Sequence, residues 1–175
     1  MNFQEDTSMQ KNILILGVGN LLLSDEGAGV HAVNYLQQHY DIPAGIEVID
    51  GGTAGMELLS YILQANHLIL LDAVNSGHAP GTLIRLDDAQ VPNFFATKMS
   101  PHQIGLTDIL AAATLSGGSP DHITLLGVEP ASFELGMDLS PVVAPIIPQM
   151  IAIVLSELEI LGFELQPRQH KSIKF

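Results

Sequence analysis

Glu26, Asp72 and His102 are three side chains capable of metal chemistry, and each stands where an element hands over to the next. Glu26 lies near the end of Gly17 to Gly27, GVGNLLLSDEG, which follows an apolar run, and Asp72 terminates His67 to Leu71, HLILL. His102 falls within Ser100-Pro101-His102-Gln103, an N-cap serine, a proline at the first helical position and a glutamine three residues after the cap,. Two carboxylates facing one crevice repel unless a cation lies between them. An imidazole in the first turn of a helix is kept neutral by the positive end of the dipole, and a neutral ring can donate to a metal. Two carboxylates and an imidazole suit a borderline divalent ion with open positions, such as zinc or nickel.

Other readings of the same residues stay open. Glu26 also complements a helix dipole, Asp72 also caps a loop, His102 also suits a solvated helix entry, and Asp50 before Gly51-Gly52 is an ordinary turn former,. The pair Gly17 and Gly19 invites a nucleotide-binding reading, but Leu22 occupies the place of the third glycine of that fingerprint,. His31, His39, His67, His78, His122 and His170 show no ligand spacing among themselves and read as structural or solvated. There is no His-Glu-x-x-His helix, no Gly-x-Ser-x-Gly elbow and no cysteine, so the standard metalloprotease, serine hydrolase and thiol protease are unsupported,.

The elements that must position these residues follow from the apolar pattern. Asn12 to Leu16 reads as a buried strand, Glu26 to His39 as a helix, Ile46 to Ile49 as a strand, Met56 to Gln64 as a helix and His67 to Leu71 as a third strand,. This β-α-β-α-β order implies a parallel sheet, with ligands at the carboxyl edge. Gly81 to Leu86 reads as an edge strand, Ser100 to the stop at Gly117-Gly118 as a capped helix, and His122 to Val128 as a strand. A last helix is expected from Ser140, delayed or kinked by Pro145 and Pro148,. The fold class is therefore α/β: a single domain with a twisted, mostly parallel sheet and helices on both faces. Its boundaries are read as 12–162, between a disordered lead (1–11) and a flexible basic tail (163–175).

Charge narrows the partners. The net charge is −13, and between positions 12 and 167 only Arg85 and Lys98 stand against seventeen acids. Such a body repels a phosphate backbone, excludes nucleic acid as a partner, and favours cations or basic protein segments. Every apolar run is too short for a membrane span. With no cysteine and no basic-apolar leader, a cytoplasmic protein is expected,. Leu21-Leu22-Leu23, immediately before the Glu26 turn, form either a core plug or a docking patch on an apolar, acidic-rimmed surface,.

Taken together, Gly17 to Gly27, Asp50 to Gly55, Leu70-Leu71-Asp72-Ala73, Pro80-Gly81-Thr82 and Ser100-Pro101-His102-Gln103 resemble the hydrogenase maturation endopeptidases, in the same order from about Asn12 to Gly162. The resemblance implies an enzyme that removes a C-terminal extension from the large-subunit precursor of nickel-iron hydrogenases once nickel is inserted. It assigns nickel binding to Glu26, Asp72 and His102. Asp50 falls on a further motif position, implied either to shape the site or to assist hydrolysis in an aspartyl-type role. Nickel is then largely borne by the substrate, with zinc or cadmium expected to replace it in crystals. The alternatives are a metal-dependent assembly factor that binds the precursor without cutting it, and a nucleotide-binding α/β domain.

Overall fold

The computed structural model describes residues 12–97 and 101–168. The chain runs β1 (Ile13–Val18), a 3-10 turn (Ser24–Gly27), α1 (Ala28–His39), β2 (Tyr40–Asp41), β3 (Ile46–Gly52), a second 3-10 turn (Met56–Leu58) and α2 (Leu59–Gln64). It continues through β4 (His67–Ala73), β5 (Leu83–Asp87), α3 (Gln90–Thr97), α4 (Pro101–Leu115), β6 (His122–Val128), a 3-10 turn (Ala144–Ile146), α5 (Ile147–Ile160) and β7 (Gln166–Pro167). Five strands form the main sheet in the order β3-β1-β4-β6-β5. All neighbours are parallel except β5, which lies antiparallel to β6 at the edge.

Strand alternation divides the core between the two faces. On one side Ile13, Ile15, Ile69 and Leu71 pack with Ala32, Val33 and Leu36 of α1 and Met150, Ile151 and Val154 of α5. On the other, Leu14, Leu16, Leu68 and Leu70 pack with Ile62 of α2, Val91 and Phe95 of α3, and Leu106, Ile109 and Ala113 of α4. Because β1 and β4 are covered on both faces, they read as unbroken apolar runs, the usual signature of parallel strands,. The expected α/β fold with helices on both faces is the one observed.

Several boundaries differ for identifiable reasons. Glu26 lies in the 3-10 turn, and the α-helix begins two residues later at Ala28. Pro145 and Pro148 do delay the last helix: Pro145 lies in a 3-10 turn, and Pro148 occupies the first turn of α5, where a missing N–H costs nothing,. Helix α3 goes beyond the sequence reading, since Pro92 resembles a breaker yet falls in its first turn, with Val91 and Phe95 buried four residues apart. Residues 163–168, expected to open a flexible tail, are docked instead. Leu165 is buried, β7 pairs antiparallel with β2, and Arg168 donates from its main chain to His39 O at 2.7 Å and from Nε to Tyr40 O at 3.0 Å. The expected lead (1–11) and the remaining tail (169–175) lie outside the described residues.

Candidate active site

The carboxyl ends of β3, β1 and β4 lie side by side, because Gly17 of β1 pairs with Asp50 of β3 on one side and Leu71 of β4 on the other. The loop leaving β1 is tied to the end of β3 by Gly19 N–H donating to Gly52 O at 2.8 Å. Gly19 sits at φ +128°, a conformation that favours glycine, and a Cβ there would lie 1.8 Å from Glu26 O,. The glycine that suggested a nucleotide turn thus serves to fold the Glu26 turn back onto β1.

Helix α1 is seated just as closely. A Cβ on Gly29 would stand 1.9 Å from Leu71 O and 2.5 Å from Val18 O. Glu26, three residues before that contact, and Asp72, one residue after Leu71, are thereby brought to the same edge. Asp72 is fully buried and Glu26 is 7% exposed. Gln103 Nε2 donates to Asp72 Oδ2 at 2.7 Å and to Ala73 O at 3.2 Å, fastening the first turn of α4 over the end of β4. His102 precedes Gln103 in that turn, so its backbone is placed at this edge; its side chain lies outside the described residues, as does Ser100 of the expected cap. Among the described residues no three His, Asp or Glu side chains form a metal-binding group.

Asp50 is brought to the same edge in a different environment. It is exposed, and its Oδ1 accepts the N–H of Gly52 at 3.0 Å, an Asx turn that shapes its own loop,. The far end of that loop approaches α4, where a Cβ on Gly105 would be 4.0 Å from Gly55 Cα. Of the other described histidines, His31 Nε2 lies 3.0 Å from Met137 O, His39 Nδ1 lies 2.8 Å from Tyr35 O, and His78 Nδ1 lies 2.7 Å from Ser76 Oγ. His67 and His122 begin β4 and β6 at the opposite edge, where burial lowers the affinity of His67 for a proton.

Sequence reasoning missed three residues that organise this edge. Gln103 was visible only as a capping residue. Asp25 is fully buried and accepts hydrogen bonds from the N–H groups of Ala131, Ser132 and Ser140 and from Ser140 Oγ, at 2.7 to 3.0 Å. Glu129, directly after β6, accepts from Ser76 Oγ and from the N–H groups of Ser76, Gly77 and His78, fixing the loop that leaves β4. An acid closing a strand was the signal that marked Asp72, and Glu129 carries it too.

Burial pushes the Glu129 carboxyl up, but the Ser76 hydroxyl and the surrounding N–H groups outweigh it and hold the group below its ordinary value,. A carboxylate depressed in the folded state stabilises the protein above its unfolded pKa, and that stability is lost as pH falls through the folded value. Melting curves recorded downward from pH 6 should therefore show an acid-side loss that Glu129→Gln reduces. An unchanged acid limb in the variant would remove Glu129 from this role.

Comparison with known proteins places the chain in a family. The family profile described as hydrogenase maturation protease matches residues 30–157. The chain belongs to that family. It is 47% identical over 158 residues to the hydrogenase 2 maturation protease of Escherichia coli strain K12, spanning 90% of this chain and 96% of that protein. It is 44% identical over 165 residues to the hydrogenase expression/formation protein HupM of Azotobacter chroococcum, spanning 93% and 79%. The solved structure of the hydrogenase maturating endopeptidase HybD from E. coli superposes with a TM-score of 0.87 at 47% identity, covering 90% of this chain and 98% of that one. As a hydrogenase maturation protease the chain is a peptidase of the α/β class, and no helix among its described residues is long and apolar enough to cross a membrane.

Proposed function

We propose that this chain is a cytoplasmic endopeptidase that removes the C-terminal extension of a nickel-iron hydrogenase large-subunit precursor after nickel has been inserted, reading the nickel as its recognition element. Family membership supports the precursor as substrate. The observation that carries the choice of residues is the buried Asp72 carboxylate clasped by Gln103, with Glu26 on the turn beside it and His102 next to Gln103 in sequence. In this reading Glu26, Asp72 and His102 complete the coordination of a nickel ion carried by the substrate. When present, such an ion both marks a finished assembly and polarises a nearby carbonyl or water. Gln103 orients Asp72, in the manner of groups that support metal ligands from behind. Asp50 shapes its loop and leaves an exposed carboxylate available to the hydrolytic step.

Incubating the purified chain with nickel-loaded and nickel-free precursor and weighing the products tests this directly. The nickel-loaded precursor should lose its C-terminal extension and the nickel-free one should stay intact. A precursor that is bound but never shortened would make the chain an assembly factor, and equal cleavage of both forms would defeat recognition through nickel.

A further inference from the structure

Most large apolar side chains left on a surface are scattered and need no explanation. A different pattern occurs beside the Glu26 turn. Leu22 is 59% exposed, and the loop after β6 exposes Phe133, Leu135 and Met137 at 50%, 86% and 62%. The two segments are joined through their backbones: Gly136 N–H donates to Leu22 O at 3.0 Å and Ser24 N–H donates to Gly136 O at 2.8 Å. Leu22, Leu135 and Met137 therefore flank one junction.

This loop is held rigidly. Asp25 anchors both its ends through Ala131, Ser132 and Ser140, and Ser24 Oγ donates to Glu134 O at 3.0 Å. A buried carboxylate thus fixes the backbone of a loop whose own apolar side chains remain in water. Such an arrangement contributes little to the core. It does lower the ordering cost of binding something to that loop.

Charge selects the occupant. Glu134 and Asp138 are exposed within the same loop. A two-fold contact with a second copy would bring these acids into one interface in a molecule already carrying −13, which is unfavourable,. The described chain ends, Asn12 before β1 and Arg168 beside the end of α1, lie at the other edge of the sheet. The face therefore calls for a separate protein whose apolar contact is rimmed by basic groups, seated four residues from Glu26.

We infer that Leu22, Phe133, Leu135 and Met137 form the docking face for the body of the precursor protein, which binds there through an apolar patch bordered by lysine or arginine and so delivers its C-terminal segment to the Glu26 and Asp72 edge. This rests on the processing reading above for the identity of the partner.

The test is the double variant Leu135→Ser/Met137→Ser in the full chain, with Leu115→Ser, a 90% exposed leucine at the end of α4, as control. Precursor binding by calorimetry and cleavage kinetics are measured separately. The double variant should bind the precursor at least tenfold more weakly and show a raised KM, with kcat and Tm close to the parent and the control unchanged. Binding by the double variant equal to that of the parent overturns the inference, as does parent protein that does not bind the precursor. A parent that self-associates until the double substitution makes it monomeric also overturns it. Patch-dependent binding without any cleavage would sustain the docking face while removing the peptidase reading.

Discussion

Asp72→Asn is expected to lower precursor cleavage about a thousandfold, equivalent to roughly 4 kcal/mol of transition-state stabilisation, while leaving the fold intact. Asparagine keeps the shape of the side chain, and its carbonyl can still accept the Gln103 Nε2 hydrogen that now reaches Asp72 Oδ2 at 2.7 Å. The negative charge is lost, and the second carboxylate oxygen is replaced by an amide nitrogen that donates instead of accepting. The metal-free variant should still unfold cooperatively, and its melting curve separates a loss of activity from a loss of fold. Gln103→Ala should cost less, about ten- to a hundredfold, since under the proposed nickel reading it would free the orientation of Asp72 without removing its carboxylate. Single-turnover cleavage of nickel-loaded precursor measures both. Activity within a few-fold of the parent for Asp72→Asn would mean that this carboxylate does not hold the metal.

The largest effect on folding is expected at Gly29. Its Cα faces the carbonyls of Leu71 and Val18 so closely that an added Cβ would fall 1.9 Å from one oxygen and 2.5 Å from the other. Both neighbours are backbone in the central strands, so no side-chain rotation can relieve the clash. Gly29→Val must push α1 off the sheet, exposing Ala32, Val33 and Leu36. Overpacking in a close-packed core ordinarily costs about 1–3 kcal/mol, and a clash with two fixed carbonyls exceeds that, against a total stability of about 5–15 kcal/mol. The variant should be recovered as insoluble or unfolded protein. A cooperative melt within a few degrees of the parent would contradict this close seating.

How legible the molecule was in its sequence depends on the range of the interaction concerned. Strands β1, β4 and β6 declare themselves because each is an apolar run ended by Gly or an acid, and their neighbour relations follow from the βαβ order,. The placement of Glu26, Asp72 and the His102 backbone at one edge was legible for the same reason: ends of elements in a parallel sheet meet there,. Asp25 was not. Its partners are more than a hundred residues away, and adjacent Asp25 and Glu26 cannot be told apart by local pattern as loop anchor and candidate ligand. Gln103 suits a capping box equally well whether or not its amide also reaches a strand, so its link to Asp72 needed the tertiary structure. Leu22 was ambiguous between core and surface until the loop after β6 was seen to lie alongside it.

The position of Asp25 also bears on how this edge moves. Its carboxylate gathers the amides of Ala131, Ser132 and Ser140, while the amides of Ser24 and Gly136 are held by carbonyls across the same junction. Parting the Glu26 turn from the loop after β6 breaks several of these bonds together, so their amides are expected to share an opening in hydrogen exchange. Order in the apolar loop and order at the Glu26 turn are thus linked through shared bonds, and steadying the former is expected to steady the latter.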